Sequence, residues 1–383
     1  MAKKNTLRVG LVLDDGLDKP DGVQQYVLTL GEWLSGQGHT VRYLVGETSR
    51  DDIPGMYSLS KNIGVKSNGN SMTVPLPTSH TRLLSVLAKE QFNVLHVQTP
   101  YSPFMGGRLI HLAGPKTAII GTFHILPNSW ITHHATRFLG FYLQRSVNKF
   151  DTMMSVSKAA ADFAERTFNI ESIVVPNVFD YDRFSRAQPL NKYNDSIKTI
   201  LFLGRLVPRK GCEALLKALH LLSEQKDLPK YRVVICGRGP EESKLRRDVI
   251  KYGLSDIVEF AGFVEEDEKP KYFASADISV FPSSGGESFG IVLLEALASG
   301  KAAVLAGNNS GYRSVMDTQP DLLFDPLDIE MLASRLTNLL ENTKHRDEMA
   351  AWGREYSRQF DIKVVGPKIL GIYLKALQKR NEK

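Results

Sequence analysis

Residues 8–13 form an apolar, β-branched run, and residues 22–35 then carry Val23, Val27, Leu30 and Leu34 at helical spacing until Gly36 and Gly38 stop the pattern. Residues 40–45 resume as a strand. Further strands are predicted at 93–97, 116–122, 151–156 and 172–175, with helices such as 130–148 and 157–166 between them. Parallel neighbours need a crossover long enough to hold a helix, so this alternation predicts an α/β fold with a parallel, doubly wound sheet.

Between Pro176 and Lys198 neither period continues, and Asn177, Pro189, Asn191, Asn194 and Asp195 make a polar piece where a domain boundary is expected. A second series follows, with strands at 199–203, 231–236, 257–260, 276–281 and 302–305. The reading is two Rossmann-like domains, 1–185 and 195–364, with a cleft between them. Gly366 and Pro367 are expected to open a last helix, since proline is tolerated in a first turn, and Leu370, Tyr373, Leu374 and Leu377 follow at helical spacing. Helix 367–383 either packs back on the first domain through those positions or presents Lys368, Lys375, Lys379, Arg380 and Lys383 to an anionic membrane surface.

At 383 residues the chain exceeds one ordinary core, in keeping with two domains. Hydrophobic residues at 42% and charged residues at 23% exclude a disordered or fibrous chain. The formal charge of +6 permits attraction to phosphates or an anionic membrane, but no basic stripe with interleaved aromatics supports nucleic acid as a partner. Cys212 and Cys236 lack C-x-x-C spacing, which points to neither a disulfide framework nor a zinc site and fits a reducing cytoplasm. No apolar signal region follows the first lysines, and no stretch reaches the roughly 18 apolar residues of a membrane span, so a cytoplasmic protein is expected.

The chemistry concentrates at Gly285-Gly286-Glu287-Ser288-Phe289-Gly290-Ile291, where a β-rich run ends in a glycine turn and a helix begins. Ser288 is expected to cap a helix from about Phe289 to Ser299 that stops at Gly300, leaving the N–H groups of Phe289, Gly290 and Ile291 aimed at a phosphate. Glu287 and Glu295 do not read as a hydrolase pair. Eight helical residues separate by about 12 Å of rise and about 80° of rotation, whereas glycosidase carboxyls flank one bond at roughly 5 to 9.5 Å. They read as contacts to different parts of one ligand, Glu287 to the hydroxyls of a transferred sugar and Glu295 to a nucleotide ribose. The plainer alternative makes Glu287 a helix cap and Glu295 a surface charge.

Ligands of open parallel sheets sit beyond the carboxyl ends of strands. Gly204-Arg205 lies at such an end and Pro208-Arg209-Lys210-Gly211 follows, so Arg205 and Lys210 are aimed at a diphosphate. Its departure develops negative charge that fixed cations stabilise, often by about 3 to 4 kcal/mol per donor. Gly22, opening the first helix, allows close backbone approach to a phosphate or sugar. His124, just past strand 116–122, either orients the sugar or stabilises positive charge on its ring carbon. His96, His133 and His134 read as structural. Neither Lys19-Pro20-Asp21-Gly22-Val23-Gln24 nor Gly237-Arg238-Gly239 completes G-x-G-x-x-G, which disfavours a nicotinamide dehydrogenase. Asp180-Tyr181-Asp182 has the form of a D-x-D metal clamp but lies in the predicted linker, so no metal or other cofactor is expected.

With these residues in view, the chain resembles retaining glycosyltransferases of the two-domain GT-B type, and within them the phosphatidylinositol mannosyltransferases that use GDP-mannose. The likeness spans nearly the whole chain. It rests on Asp21-Gly22-Val23-Gln24, Gly121-Thr122-Phe123-His124, Val175-Pro176-Asn177, Phe202-Leu203-Gly204-Arg205 with Pro208-Arg209-Lys210-Gly211, and Gly285-Gly286-Glu287-Ser288-Phe289-Gly290-Ile291-Val292-Leu293 with Glu295. It implies that Gly22 approaches the sugar-phosphate, His124 the hexose, Arg205 and Lys210 the diphosphate, Glu287 the sugar hydroxyls and Glu295 the ribose, with Gly286, Phe289, Gly290 and Ile291 at the donor. Glu266 and Lys269 fall where the base would lie, and an acid there accepts guanine N–H groups. Gln24 and Arg82 are the implied acceptor contacts. The chain departs from the family's pattern at Asp21 and Val178, where glycines are usual, in the short segment 77–82, at Ser129 in place of a lysine, and before Phe92, where Lys89 stands without a basic cluster. Membrane docking then falls to exposed apolar residues such as Leu83, Leu84 and Leu87, or to the tail.

The expected activity is metal-independent transfer of a hexose, mannose from GDP-mannose, to a lipid acceptor such as phosphatidylinositol, with retained anomeric configuration. No well-placed carboxylate nucleophile is evident, so same-face attack is expected, with the departing phosphate taking the acceptor proton. Three readings compete: a UDP-sugar transferase for another glycan or small-molecule acceptor, a sugar-nucleotide epimerase or hydrolase on the same fold, and a nucleotide-sugar-binding scaffold.

Overall fold

A computed structural model describes residues 6–18, 21–67, 70–98, 100, 104–124 and 146–382. They form two compact units, Met1–Val178 with Ile362–Lys383, and Phe179–Asp361. Most of the helix predicted at 130–148 lies outside the described residues, as do Lys19, Pro20, Ser129, His133 and His134.

The first unit contains β1 (Arg8–Leu13), α1 (Gly22–Gly36), β2 (Thr40–Val45), β3 (Met56–Ser58), β4 (Asn62–Ser67), β5 (Asn70–Pro75), α2 (His80–Glu90), β6 (Val94–Val97), α3 (Met105–Leu112), β7 (Ala118–Phe123), β8 (Thr152–Ser155), α4 (Lys158–Phe168) and β9 (Ile173–Val174). Its sheet runs β3-β2-β1-β6-β7-β8-β9 with every pair parallel, while β4 and β5 form a separate antiparallel hairpin. β6 and β7 are buried throughout, as strands covered on both faces must be. The apolar pattern predicts neither β3 nor the hairpin, because these segments are short and polar.

The last helix runs Ile362–Asn381 and so begins ahead of the predicted start at Gly366, with Pro367 inside it. An interior proline costs about 3 kcal/mol. Against that, Ile362, Val365, Ile369, Tyr373 and Ala376 form a buried stripe in one cluster with Val27, Leu30 and Leu34 of α1. Each large apolar side chain so buried contributes roughly 1.5–3 kcal/mol, and the stripe outweighs the proline. Leu374, expected in the apolar set, is 48% exposed. Arg380 is bound into the first unit, Nε 2.8 Å from Asp151 Oδ1 and Nη2 donating to Lys149 O at 3.1 Å, which removes it from the cations expected to meet a membrane.

Of the apolar residues expected to dock on a membrane, Leu83 is fully buried and Leu87 packs on the same cluster, leaving Leu84 at the surface. No described helix is long and apolar enough to cross a membrane.

Tyr373 ties the last helix to the sheet. Its hydroxyl lies 2.7 Å from His96 Nδ1, and His96 Nε2 lies 2.6 Å from Thr122 Oγ1. Tyr26 of α1 meets both His96 and His124 edge-on, with ring centroids 6.1 and 4.8 Å apart. His96 is thus a core histidine held by two hydroxyls.

In the second unit follow α5 (Tyr181–Ser185), β10 (Lys198–Leu203), α6 (Cys212–Ser223), β11 (Tyr231–Cys236), α7 (Glu242–Lys251), β12 (Val258–Gly262), α8 (Lys269–Ala274), β13 (Ile278–Phe281), α9 (Ile291–Ser299), β14 (Ala303–Gly307), α10 (Ser310–Met316), β15 (Leu323–Phe324), α11 (Ile329–Glu341) and α12 (Thr343–Ser357). The strand order is β12-β11-β10-β13-β14-β15, again all parallel. The winding reverses at β10, which makes the ends of β10 and β13 the topological switch point of this sheet. The stretch expected to be linker contributes α5. Asp180 caps it by accepting from Arg183 N at 3.1 Å, and Asp182 pairs with Arg186 at 3.0 Å, so both carboxylates of the D-x-D serve local structure. Cys212 and Cys236 are buried free thiols.

Burial holds the pKa of both His96 and His124 at about 3, against an ordinary value of 6.5. Both are neutral when folded, so between those values the unfolded chain binds more protons and stability falls as the pH falls. The contribution is fully present above pH 6.5 and is lost progressively toward pH 3, with a limiting slope of about 1.4 kcal/mol per pH unit for each histidine. Urea unfolding at pH 7, 6 and 5 is expected to show that decline, and His124→Gln to lose about half of it; a flat profile would contradict the buried neutral rings.

Candidate active site

β10 and β13 are parallel neighbours, so the loops that follow them, 204–211 and 282–290, meet at the switch point. Ser284 N donates to Arg209 O at 2.9 Å and joins the two. Their contact depends on Gly211, at φ +74°, where a Cβ would stand 2.0 Å from Pro282 O. α9 begins at Ile291 with Gly290 as its N-cap at φ +101°, and Ser288 does not cap it. A left-handed cap residue with no side chain replaces the expected serine. A Cβ at Gly290 would lie 2.6 Å from Tyr312 Cδ1.

Glu287 is the centre of this loop pair. Its Oε1 lies 2.7 Å from Arg209 Nη1, 2.8 Å from Lys210 Nζ and 2.9 Å from Ser283 Oγ. Burial alone pushes this carboxyl upward, but the Lys210 and Arg209 charges, with hydrogen bonds from Lys210 and Ser283, outweigh it and hold the pKa below the ordinary value. Glu287 is therefore an ion-pair acid, and the helix-cap reading does not describe it. The sequence reading passes over Arg209. Its signal was adjacency to Lys210 in a tight Pro208–Lys210 turn, in which either cation fits the role.

Arg205 stands exposed at the end of β10. Phe289 is 2% exposed with its ring edge-on to Phe360 at 5.8 Å, so its side chain anchors the loop and only its backbone is left for a ligand. Gly286 and Ile291 are partly exposed on either side of it.

A second cluster joins α8 to α9. Lys269 Nζ lies 2.7 Å from Glu266 Oε1 and 3.4 Å from Glu295 Oε1. Glu295 is 4% exposed, which removes the surface-charge reading. Burial tends to lower the Lys269 pKa, but Glu295 and Glu266 raise it, and the ammonium is held. Arg183 donates to the Glu266 carbonyl from the side of α5.

In the first unit, Gly22 opens α1 with Asp21 as its N-cap. Gln24 is buried, its Nε2 3.4 Å from Asp15 Oδ2, and its Oε1 has no partner among the described residues. Arg82 is exposed and donates to Ser58 O at 2.7 Å. His124 is 5% exposed, with Nε2 2.8 Å from Gln98 Oε1. A neutral ring keeps a lone pair, which suits either expected role, orienting the sugar or facing positive charge on its ring carbon. Among the described residues no group of three or more His, Cys, Asp or Glu side chains is placed to hold a metal ion.

An acid between two cations at the mouth of a helix can bind a polyanion and a neighbouring set of hydroxyls at once. Residues 185–356 match the family described as glycosyl transferases group 1, and residues 20–183 the one described as glycosyltransferase family 4. A phosphatidyl-myo-inositol mannosyltransferase of Mycobacterium tuberculosis is 32% identical over 375 residues, 96% of either chain. The chain belongs to the GT-B glycosyltransferase family. A GDP-mannose-dependent alpha-(1-6)-phosphatidylinositol monomannoside mannosyltransferase of the same organism is 27% identical to this glycosyltransferase over 371 residues, 91% of this chain and 93% of that one. Among solved structures, a glycosyltransferase from Rickettsia africae ESF-5 superposes with a TM-score of 0.76 at 16% identity, covering 97% of this chain and 99% of the other, a likeness of fold.

Removing Glu287 strands two cations, whereas removing Lys210 leaves the Arg209–Glu287 pair intact. Glu287→Ala is expected to destabilise this glycosyltransferase by about 3 kcal/mol and Lys210→Ala by about 1 kcal/mol or less. Chemical denaturation of both variants checks the order; equal losses would show that Arg209 does not hold the acid.

Proposed function

We propose that this chain transfers mannose from GDP-mannose to phosphatidylinositol with retention of anomeric configuration, working in the cytoplasm against the anionic inner face of the cell membrane. The observation that carries the reading is the convergence of Arg209, Lys210 and Glu287 at the switch point where α9 begins. Likeness over 96% of the chain to a phosphatidyl-myo-inositol mannosyltransferase favours that sugar and acceptor. The Glu266–Lys269 pair favours guanine, because a carboxylate accepts the two N–H groups of its edge.

In this reading Arg205 and Lys210 take the diphosphate, aided by the backbone of Gly286, Phe289, Gly290 and Ile291. Glu287, kept ionised by Arg209, accepts from the sugar hydroxyls. Glu295 accepts from the ribose, and Gly22 lets backbone approach the sugar-phosphate. His124 orients the hexose, while Gln24 and Arg82 meet the acceptor. The bond from the sugar's C1 to the phosphate oxygen breaks as the acceptor oxygen bonds to C1 on the same face, and the acceptor proton passes to the departing phosphate. No metal is invoked, since Arg205 and Lys210 supply the charge that the leaving group needs.

Labelled GDP-mannose, UDP-glucose and UDP-N-acetylglucosamine offered separately with a total lipid extract are expected to give label in phosphatidylinositol from GDP-mannose alone. Entry of label from a UDP-sugar into another acceptor, or rapid donor breakdown without lipid, would overturn the reading. Lys210→Ala is expected to lower kcat by about 10²- to 10³-fold while the protein still unfolds cooperatively; an unchanged rate would remove Lys210 from the chemistry.

A further inference from the structure

Gln98 directly follows β6 and is fully buried, and two partners among the described residues fix which way its amide points. Nε2 donates to the His96 carbonyl at 3.3 Å, an oxygen that has no proton to give. Oε1 therefore faces His124, 2.8 Å from Nε2 of the ring. A ring nitrogen at hydrogen-bond distance from an amide oxygen must carry the proton. The ring is neutral, so it has one proton, and Nδ1 is left with a lone pair. Among the described residues the titratable groups that face the ring are Tyr26 from α1 and His96 from β6; burial raises the phenol and lowers the imidazole, so both stay uncharged near neutrality. His96 is itself held by Tyr373 and Thr122, which makes the carbonyl that orients Gln98 a fixed point.

We propose that Gln98 is a positioning residue that locks His124 in the Nε2–H tautomer, so that Nδ1 serves as an acceptor for a substrate hydroxyl. Phosphate and carbonyl oxygens have no proton to donate and are refused at that nitrogen. The site then selects the hydroxyl-bearing part of a ligand over its anionic part, by hydrogen-bond polarity and without a charge. The proton on Nε2 stands on the geometry and the bare Nδ1 on the neutrality of the buried ring, while the choice of a hydroxyl rests on the proposed role of His124 at the hexose.

The test uses the full-length protein labelled with ¹⁵N-histidine, with His124→Gln to assign the signal. Two-bond ¹H–¹⁵N spectra are expected to show His124 protonated at Nε2 and not titrating between pH 7 and 5.5. Gln98→Leu should mix the tautomers. Gln98→Glu, which keeps the volume, should bring in a second proton at Nδ1 and lower kcat/KM for GDP-mannose at least about tenfold, with the His96 signals unmoved as a control for folding. A wild-type Nδ1–H tautomer, or Gln98→Leu with the wild-type tautomer, would overturn the positioning role. Addition of GDP-mannose is expected to shift the Nδ1 resonance. If neither donor nor lipid moves it while the tautomer is as stated, the hydroxyl selection falls and the Gln98 lock survives.

Discussion

A carboxylate largely withdrawn from water needs a counter-charge, and the Glu287 site is organised around meeting that need. Desolvation alone would push Glu287 toward its neutral form, but Arg209 and Lys210 bring two cations within 2.8 Å and reverse the sign. Those cations come from the loop after β10 and the acid from the loop after β13, so the pairing exists only because these strands are neighbours. Gly211 is the small residue that lets the loops close to that distance, while Gly290 leaves room for Tyr312. Topology, glycine placement and electrostatics thus converge on one oxygen, Glu287 Oε1.

The second acid is treated differently. Glu295 has one lysine within reach, and Lys269 also binds Glu266, so the burial of Glu295 is only partly offset and its pKa stays above the ordinary value. Glu287 keeps surplus positive charge about it, whereas the Glu266–Lys269–Glu295 cluster carries surplus acid. The two clusters of the second unit thus differ in the sign of the charge they hold in excess. Within the first unit, His96 and His124 are neutral and polarity is expressed through hydrogen-bond direction alone.

Much of the fold was legible because central parallel strands are covered on both faces and read as apolar runs, as in β1, β7 and β10. Strand ends could be read too, and with them the nearness of Lys210 to Glu287. The failures have physical causes. Serine and glycine both cap helices, and only the backbone angle at Gly290 shows which one does so here. Pro367 looks like a helix start until the burial of Ile362 and Val365 ahead of it is known. Leu83 and Phe289 sit beside polar residues in sequence, which conceals that each points into a core. Arg209 and Lys210 are adjacent cations in one turn, and no sequence period says that both reach the acid. The β4–β5 hairpin is too polar to announce itself.

The last helix belongs to the unit that the first residues begin, so along the chain the second unit is an uninterrupted stretch between two pieces of the first. During synthesis the ribosome therefore delivers the complete second unit before the first can close. The earlier unit must wait with the α1 surface that receives Ile362, Val365, Ile369 and Tyr373 uncovered until the codons for those residues are read. A stop codon ahead of Ile362 would injure the unit that was translated first.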